Sequence, residues 1–115
     1  MAVPLAERHC TVCGPGTPTL PPDQADALLR QLSPDWRLVE AAGHPQLTRT
    51  IHFKGFMPGV AVVNRIAELA EAEGHHPDLH LSYGALRVDL WTHAAGGLTE
   101  NDFVLAAKID RIRPS

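Results

Sequence analysis

The stretch MPGVAVVNRIAELAEAEGHHPDLHLSYGALRVDLWTH, residues 57–93, changes its hydrophobic period once and reverses direction once. In its first half Val60, Val63, Ile66, Ala67 and Ala70 recur at helical spacing, with Asn64, Arg65, Glu68 and Glu71 on the other faces. Pro58 suits a first turn, where a missing N–H costs nothing. Gly74 stands where a left-handed cap would close the helix, and Pro77 forbids continuation. A helix from Met57 to about Glu73 is therefore expected. After it the period falls to two. Leu79, Leu81 and Tyr83 alternate with His80 and Ser82. Beyond a Tyr83-Gly84 turn, Leu86, Val88, Leu90 and Thr92 alternate with Arg87, Asp89, Trp91 and His93. Helix followed by hairpin is the reading.

The flanks repeat this pattern. Downstream, AAGG (94–97) is a loop, and Thr99-Glu100-Asn101-Asp102 is a variant capping box ahead of a last helix. That helix offers Phe103, Ala106 and Ala107 to a core, widened by Leu105, Ile109 and Ile112. Upstream, Ala25, Leu28, Leu29 and Leu32 mark one face of a short helix ended by Ser33-Pro34. Trp36–Val39 and Gln46–Phe53 read as strands joined by the breaker-rich AAGHP (41–45). Phe53 and Phe56 are expected in the core. The order is α-β-β-α-β-β-α, an α+β domain with a four-stranded antiparallel sheet and three helices on one face. Residues 1–21, proline-rich, are expected to be a flexible N-terminal arm, and residues 22–113 the domain.

A chain of 115 residues, 44% apolar and 20% charged, has enough apolar material for one core. A net charge of −3 gives no general attraction to phosphate backbones, so no nucleic-acid partner is expected. Arg111 and Arg113 read as a solvated tail. No apolar run reaches the roughly 20 residues of a bilayer span, and MAVPLAERHC lacks the form of a secretory signal. The expectation is a cytoplasmic protein with no membrane partner. Cys10 and Cys13, in CTVC, could form half a zinc site or a redox pair, with His9 a further ligand. The following GPGTPTLPP supplies neither helix nor strand, and a non-catalytic arm is the preferred reading.

Chemistry concentrates in GHHPDLH (74–80). Adjacent histidines at a helix exit can end the helix, bind metal or move protons. A metal site would use His75 or His76 with His80 and His93, but Pro77 breaks the helix that would align them. Thr92 and His93 end the last strand and Asp102 begins the last helix, so these termini could share a cleft. Glu71 lies one turn before His75, within reach of a charge-assisted hydrogen bond if the helix persists. Imidazoles titrate near pH 6.5, and two in one cleft can serve as base and acid. That pair suits elimination of water, where one group takes a proton as the other gives one to the leaving hydroxyl.

The pattern Glu71-x3-His75-His76-Pro77-x5-Tyr83-x9-His93-x8-Asp102 resembles the signature of the pterin-4a-carbinolamine dehydratases. HFKGF (52–56), VNRIAELAEAEGHHPD (63–78), LWTH (90–93) and GGLTENDFVLAAKID (96–110) extend the resemblance over roughly residues 20–112. Gly59 and Val62 depart from it, standing where Ala and Phe are expected, as does Leu79, where an aromatic is usual. The resemblance implies dehydration of 4a-hydroxytetrahydrobiopterin to quinonoid dihydrobiopterin and water, in tetrahydropterin recycling, with no cofactor and no metal. It implies His75 as the leading base and His93 as the leading acid, with His76 also counted in the catalytic set. Pro77, Trp91 and Thr92 would join the three histidines around the substrate, and Glu71 and Asp102 would support them. It further implies a homodimer or homotetramer and a functional link to a pterin-dependent aromatic amino acid hydroxylase. Other members of the fold are binding or assembly proteins without catalysis.

Overall fold

A computed structural model describes residues 3–11, 16–41 and 43–112. Its main elements are α1 (Pro22–Leu29), β1 (Arg37–Ala41), β2 (His44–His52), α2 (Met57–Glu73), β3 (Asp78–Ser82), β4 (Ala85–Leu90) and α3 (Glu100–Ile112). The strands form one antiparallel sheet in the order β1-β2-β4-β3. Class, element order and strand count agree with the sequence reading. Among the described residues, no helix is long and apolar enough to cross a membrane.

Alternation sets the core. Leu47 and Ile51 of β2 and Leu86, Val88 and Leu90 of β4 are buried on the sheet's inner face. Against them pack Phe103, Val104, Leu105, Ala106 and Ile109 of α3, with Val62 and Ile66 of α2. Each fully buried Leu, Ile, Val or Phe contributes roughly 1.5–3 kcal/mol.

The buried face of α2 is rotated from the one expected. Gly59, Val62, Ile66 and Ala70 are buried, while Ala67 is exposed and Val60 and Val63 are half-buried. Gly59 is the reason, because a Cβ there would stand 2.7 Å from Leu81 Cδ1 and 3.5 Å from Phe53 Cδ2. Its bare backbone lets α2 approach the sheet at this position. The helix then ends at Gly74, whose φ of +67° is left-handed and whose N–H bonds to Ala70 O. That cap turns His75 and His76 off the helix axis.

Three local expectations are corrected. The β1–β2 connection is shorter than AAGHP, since His44 and Pro45 belong to β2, opposite Ala41 and Glu40. The β2–β4 ladder starts only at Leu47, so Pro45 has a neighbour on one side alone and its missing N–H is tolerated. Helix α1 stops at Leu29, and Leu32 reaches the core through a following turn. Phe53 packs on the core, but Phe56, at the N-cap of α2, is 44% exposed.

Trp36 precedes β1 and is held by its indole, which donates to Asp110 Oδ1 at 2.7 Å. Ser33 N–H donates to Asp110 Oδ2 at 3.0 Å, and the buried Arg49 also bonds this carboxylate. One acid thus ties the α1–β1 loop and β2 to α3. The described part of the lead-in is also anchored. Leu5, in a short 3-10 turn (Leu5–Glu7), is buried, Lys108 Nζ donates to Ala6 O at 2.9 Å, and Arg8 pairs with Glu100 at 3.0 Å. Cys13 and Arg113 lie outside the described residues.

Candidate active site

Four segments end around a cleft of about 360 Å3. The exit of α2 brings Gly74 to Pro77, the end of β4 brings Trp91 to His93, the start of α3 brings Asn101, and the lead-in brings Thr11. Asp102 lies beneath this cleft and is fully buried. Its Oδ1 accepts from His75 Nε2 at 2.6 Å. Its Oδ2 accepts from Thr92 Oγ1 and from Thr99 N–H, both at 2.9 Å. The Thr99 bond is the return half of the capping box anticipated from Thr-x-x-Asp. Thr92 has one proton, and the carboxylate takes it. At the 2.8 Å Thr92–Thr99 contact, Thr99 must therefore be the donor.

This network fixes the tautomer of His75. With Nε2–H given to the Asp102 carboxylate, Nδ1 holds the free lone pair of the neutral ring. The His75 side chain is 11% exposed, open enough to meet a ligand and closed enough to hold one orientation. Glu71 does not reach His75. Its Oε2 accepts from His76 Nε2 at 2.5 Å, because the left-handed residue at Gly74 ends the helical spacing that i, i+4 pairing requires. Both members of that pair are well exposed, at the rim.

His93 and Trp91 form a ring pair, with centroids 3.8 Å apart at 29°. The other face of Trp91 is covered by His44, at 3.6 Å and 19°. The indole therefore has a ring on each side. Thr92 is buried, and its hydroxyl is committed to Asp102. The loop that follows folds tightly, with Thr92 N–H donating to Gly97 O at 2.8 Å and Gly96 N–H returning to Thr92 O at 2.9 Å. It carries the chain from His93 back to Thr99.

Of the residues expected at the site, His75, His76, Pro77, Trp91, Thr92 and His93 line the cleft. Asp102 supports it from below and Glu71 from the rim. Tyr83 is 80% exposed at the distant turn of the β3–β4 hairpin and does not line it. His80 pairs with Asp89 at 3.4 Å. Among the described residues, no group of three or more His, Cys, Asp or Glu is placed to hold a metal.

Sequence reasoning missed Thr11, Asn101 and Asp78, which also line the cleft. Thr11 N–H donates to Asn101 Oδ1 at 2.9 Å, and Asn101 Nδ2 donates to Thr11 O at 2.7 Å. Two residues before His75, Glu73 accepts from Cys10 N–H at 2.7 Å and from His9 Nδ1 at 3.0 Å, with Lys108 Nζ at 3.7 Å. Burial opposes the charge on Glu73, but these donors outweigh it and hold the carboxyl below its usual range. Burial and the nearby Glu73 and Asp102 charges push the Cys10 thiol up to about 12, far from a reactive thiolate. Adjacency to Asp102 could have flagged Asn101 in sequence, and adjacency to Pro77 could have flagged Asp78; Thr11 carried no signal.

Comparison with known proteins gives this geometry a lineage. The family model described as pterin 4 alpha carbinolamine dehydratase matches residues 18–112. A Saccharophagus degradans protein, provisionally named as a pterin-4-alpha-carbinolamine dehydratase, is 44% identical over 94% of this chain and 95% of its own. A Rickettsia bellii protein with the same provisional name is 45% identical over 95% of this chain and 94% of its own. A crystal structure of a transcriptional coactivator/pterin dehydratase from Brucella melitensis superposes with a TM-score of 0.75 at 30% identity. It covers 84% of this chain and 99% of that one. A pterin dehydratase-like RuBisCO assembly factor of the alpha-carboxysome shares the fold, with a TM-score of 0.59 at 24% identity over 70% of this chain and 92% of that one. With the family model matched over residues 18–112 and relatives this similar along nearly their whole length, the chain belongs to the pterin 4 alpha carbinolamine dehydratase family.

Proposed function

We propose that the protein dehydrates a 4a-hydroxytetrahydropterin, 4a-hydroxytetrahydrobiopterin among them, to the quinonoid dihydropterin and water. The observation that carries this reading is the His75–Asp102 bond at the cleft floor, with His76 and His93 lining the same cleft. His75 Nδ1 takes the N5 proton of the pterin. The electron pair released forms the C4a=N5 double bond, the C4a–O bond breaks, and His93 protonates the departing hydroxyl to give water. Asp102 keeps the basic nitrogen of His75 aimed outward and stabilises the imidazolium that forms. His76, exposed and held by Glu71, orients the ring from the rim. This chemistry requires neither a metal nor an organic cofactor. We further propose that the enzyme follows a pterin-dependent hydroxylase in a recycling sequence and works as a cytoplasmic homodimer or homotetramer.

The reading is tested by following decay of a freshly generated 4a-hydroxytetrahydropterin with the wild-type protein, with and without a chelator. Acceleration that survives chelation supports it. A folded protein that gives no acceleration overturns it and favours the second reading, a non-catalytic binding or assembly module. The fold shared with the RuBisCO assembly factor supports that alternative.

A further inference from the structure

We propose that His44 is a positioning residue for the reaction: by stacking on the far face of Trp91 it holds the indole against His93 and so fixes the ring that delivers the proton. The β2–β4 ladder ends at the pair Leu47–Leu90, so no strand pairing fixes the side chains of Trp91 and His93. Thr92 between them is anchored through Gly97 and Asp102, but His93 itself is exposed. An exposed imidazole at a strand end samples several rotamers unless something packs on it. What packs on it is Trp91, at 3.8 Å.

Trp91 in turn needs a support, and His44 supplies it at 3.6 Å and 19°. Continuing the antiparallel register beyond Leu47–Leu90 sets Gln46 across from Trp91 and His44 two residues further on, a diagonal neighbour on the same face within reach of aromatic rings. The His44 ring is itself held. Its Nδ1–H donates to Pro45 O at 3.1 Å, and its backbone lies between Gly43, at φ +84°, and Pro45, in register with Ala41. A chain of three rings therefore transmits the position of the β1–β2 turn to the exposed acid. With both indole faces covered, Trp91 supports His93 and offers the cleft only its edge.

The kinetic consequence rests on the dehydratase reading; the geometric one does not. The experiment compares wild type, His44→Ala and His44→Phe at one pH, reading the His93 ring proton shifts by NMR, assigned with His93→Gln, and then kcat and KM for the 4a-hydroxytetrahydropterin. The indole ring current displaces the His93 signals upfield in the wild type. His44→Ala is expected to lose most of that displacement and to lower kcat by about tenfold with KM nearly unchanged, as loss of orientation does. His44→Phe, which restores a ring without a titratable group, should recover both. His93 signals unmoved in His44→Ala, or His44→Phe as impaired as His44→Ala, would overturn the inference. An inactive wild type would instead overturn the dehydratase reading, and the ring shifts still decide whether His44 positions His93.

Discussion

At the scale of single residues, Asp102 bears the most. It is fully buried, caps α3 through Thr99 N–H and orients His75, so one carboxylate serves both the fold and the cleft. Capping was legible in sequence, because Thr-x-x-Asp has a local signature, whereas support of a histidine by Asp102 was implied only by the resemblance to the dehydratases. Which acid meets which histidine was not legible. The i, i+4 rule assigned Glu71 to His75, but it assumes a continuing helix, and the cap at Gly74 gave Glu71 to His76 and left His75 to Asp102. Asp102→Asn keeps the size but puts an amide where a carboxylate accepts three bonds. It should lower kcat by about 100-fold and cost about 1–3 kcal/mol of stability, read by stopped-flow kinetics and urea unfolding. Unchanged kcat in a folded variant would remove Asp102 from the mechanism.

Among the elements, periodicity served well where hydrophobic alternation was regular and poorly where close packing rotated a face. The limits of α2 were readable from Pro58 and Gly74, yet its buried stripe was set by Gly59 against Leu81, a tertiary contact invisible along the chain. The lead-in is the larger surprise. Proline content pointed to a flexible arm, but Leu5 is buried against α3, and the backbone around Cys10 and Thr11 is bonded to Glu73 and Asn101. Its anchors are single side chains separated by between 63 and 102 residues in sequence, beyond any local pattern. Leu5→Ala should cost about 2–5 kcal/mol, in the range of core truncations, measured by thermal or urea unfolding. A change under about 0.5 kcal/mol would show that the segment contributes little. Glu73 gives this docking a pH dependence. Its carboxyl is held below the unfolded value of 4.5, so the stabilisation is present above that value and lost as pH falls through the lower folded one. Glu73→Gln should therefore be less stable than wild type at pH 7 and show a flatter decline below pH 4.5, by urea midpoints taken across the acid range.

For the whole molecule, fold and site are one arrangement. The β1-β2-β4-β3 sheet puts the end of β4 beside the exit of α2, and the tight turn after His93 returns the chain so that α3 begins at the same cleft. Element order was legible because helix and strand periods alternate without ambiguity. The convergence of the three termini was not, since separation in sequence says nothing of which ends meet. The central claim is that His75, held by Asp102, removes a proton in the elimination of water. Its most direct test is the single-turnover rate of 4a-hydroxytetrahydropterin decay with saturating wild type and with His75→Ala, in chelator-treated buffer. The account predicts a loss of at least about tenfold on substitution, or ~1.4 kcal/mol of transition-state stabilisation, in a protein whose fold is retained. Equal rates for the two proteins would contradict it.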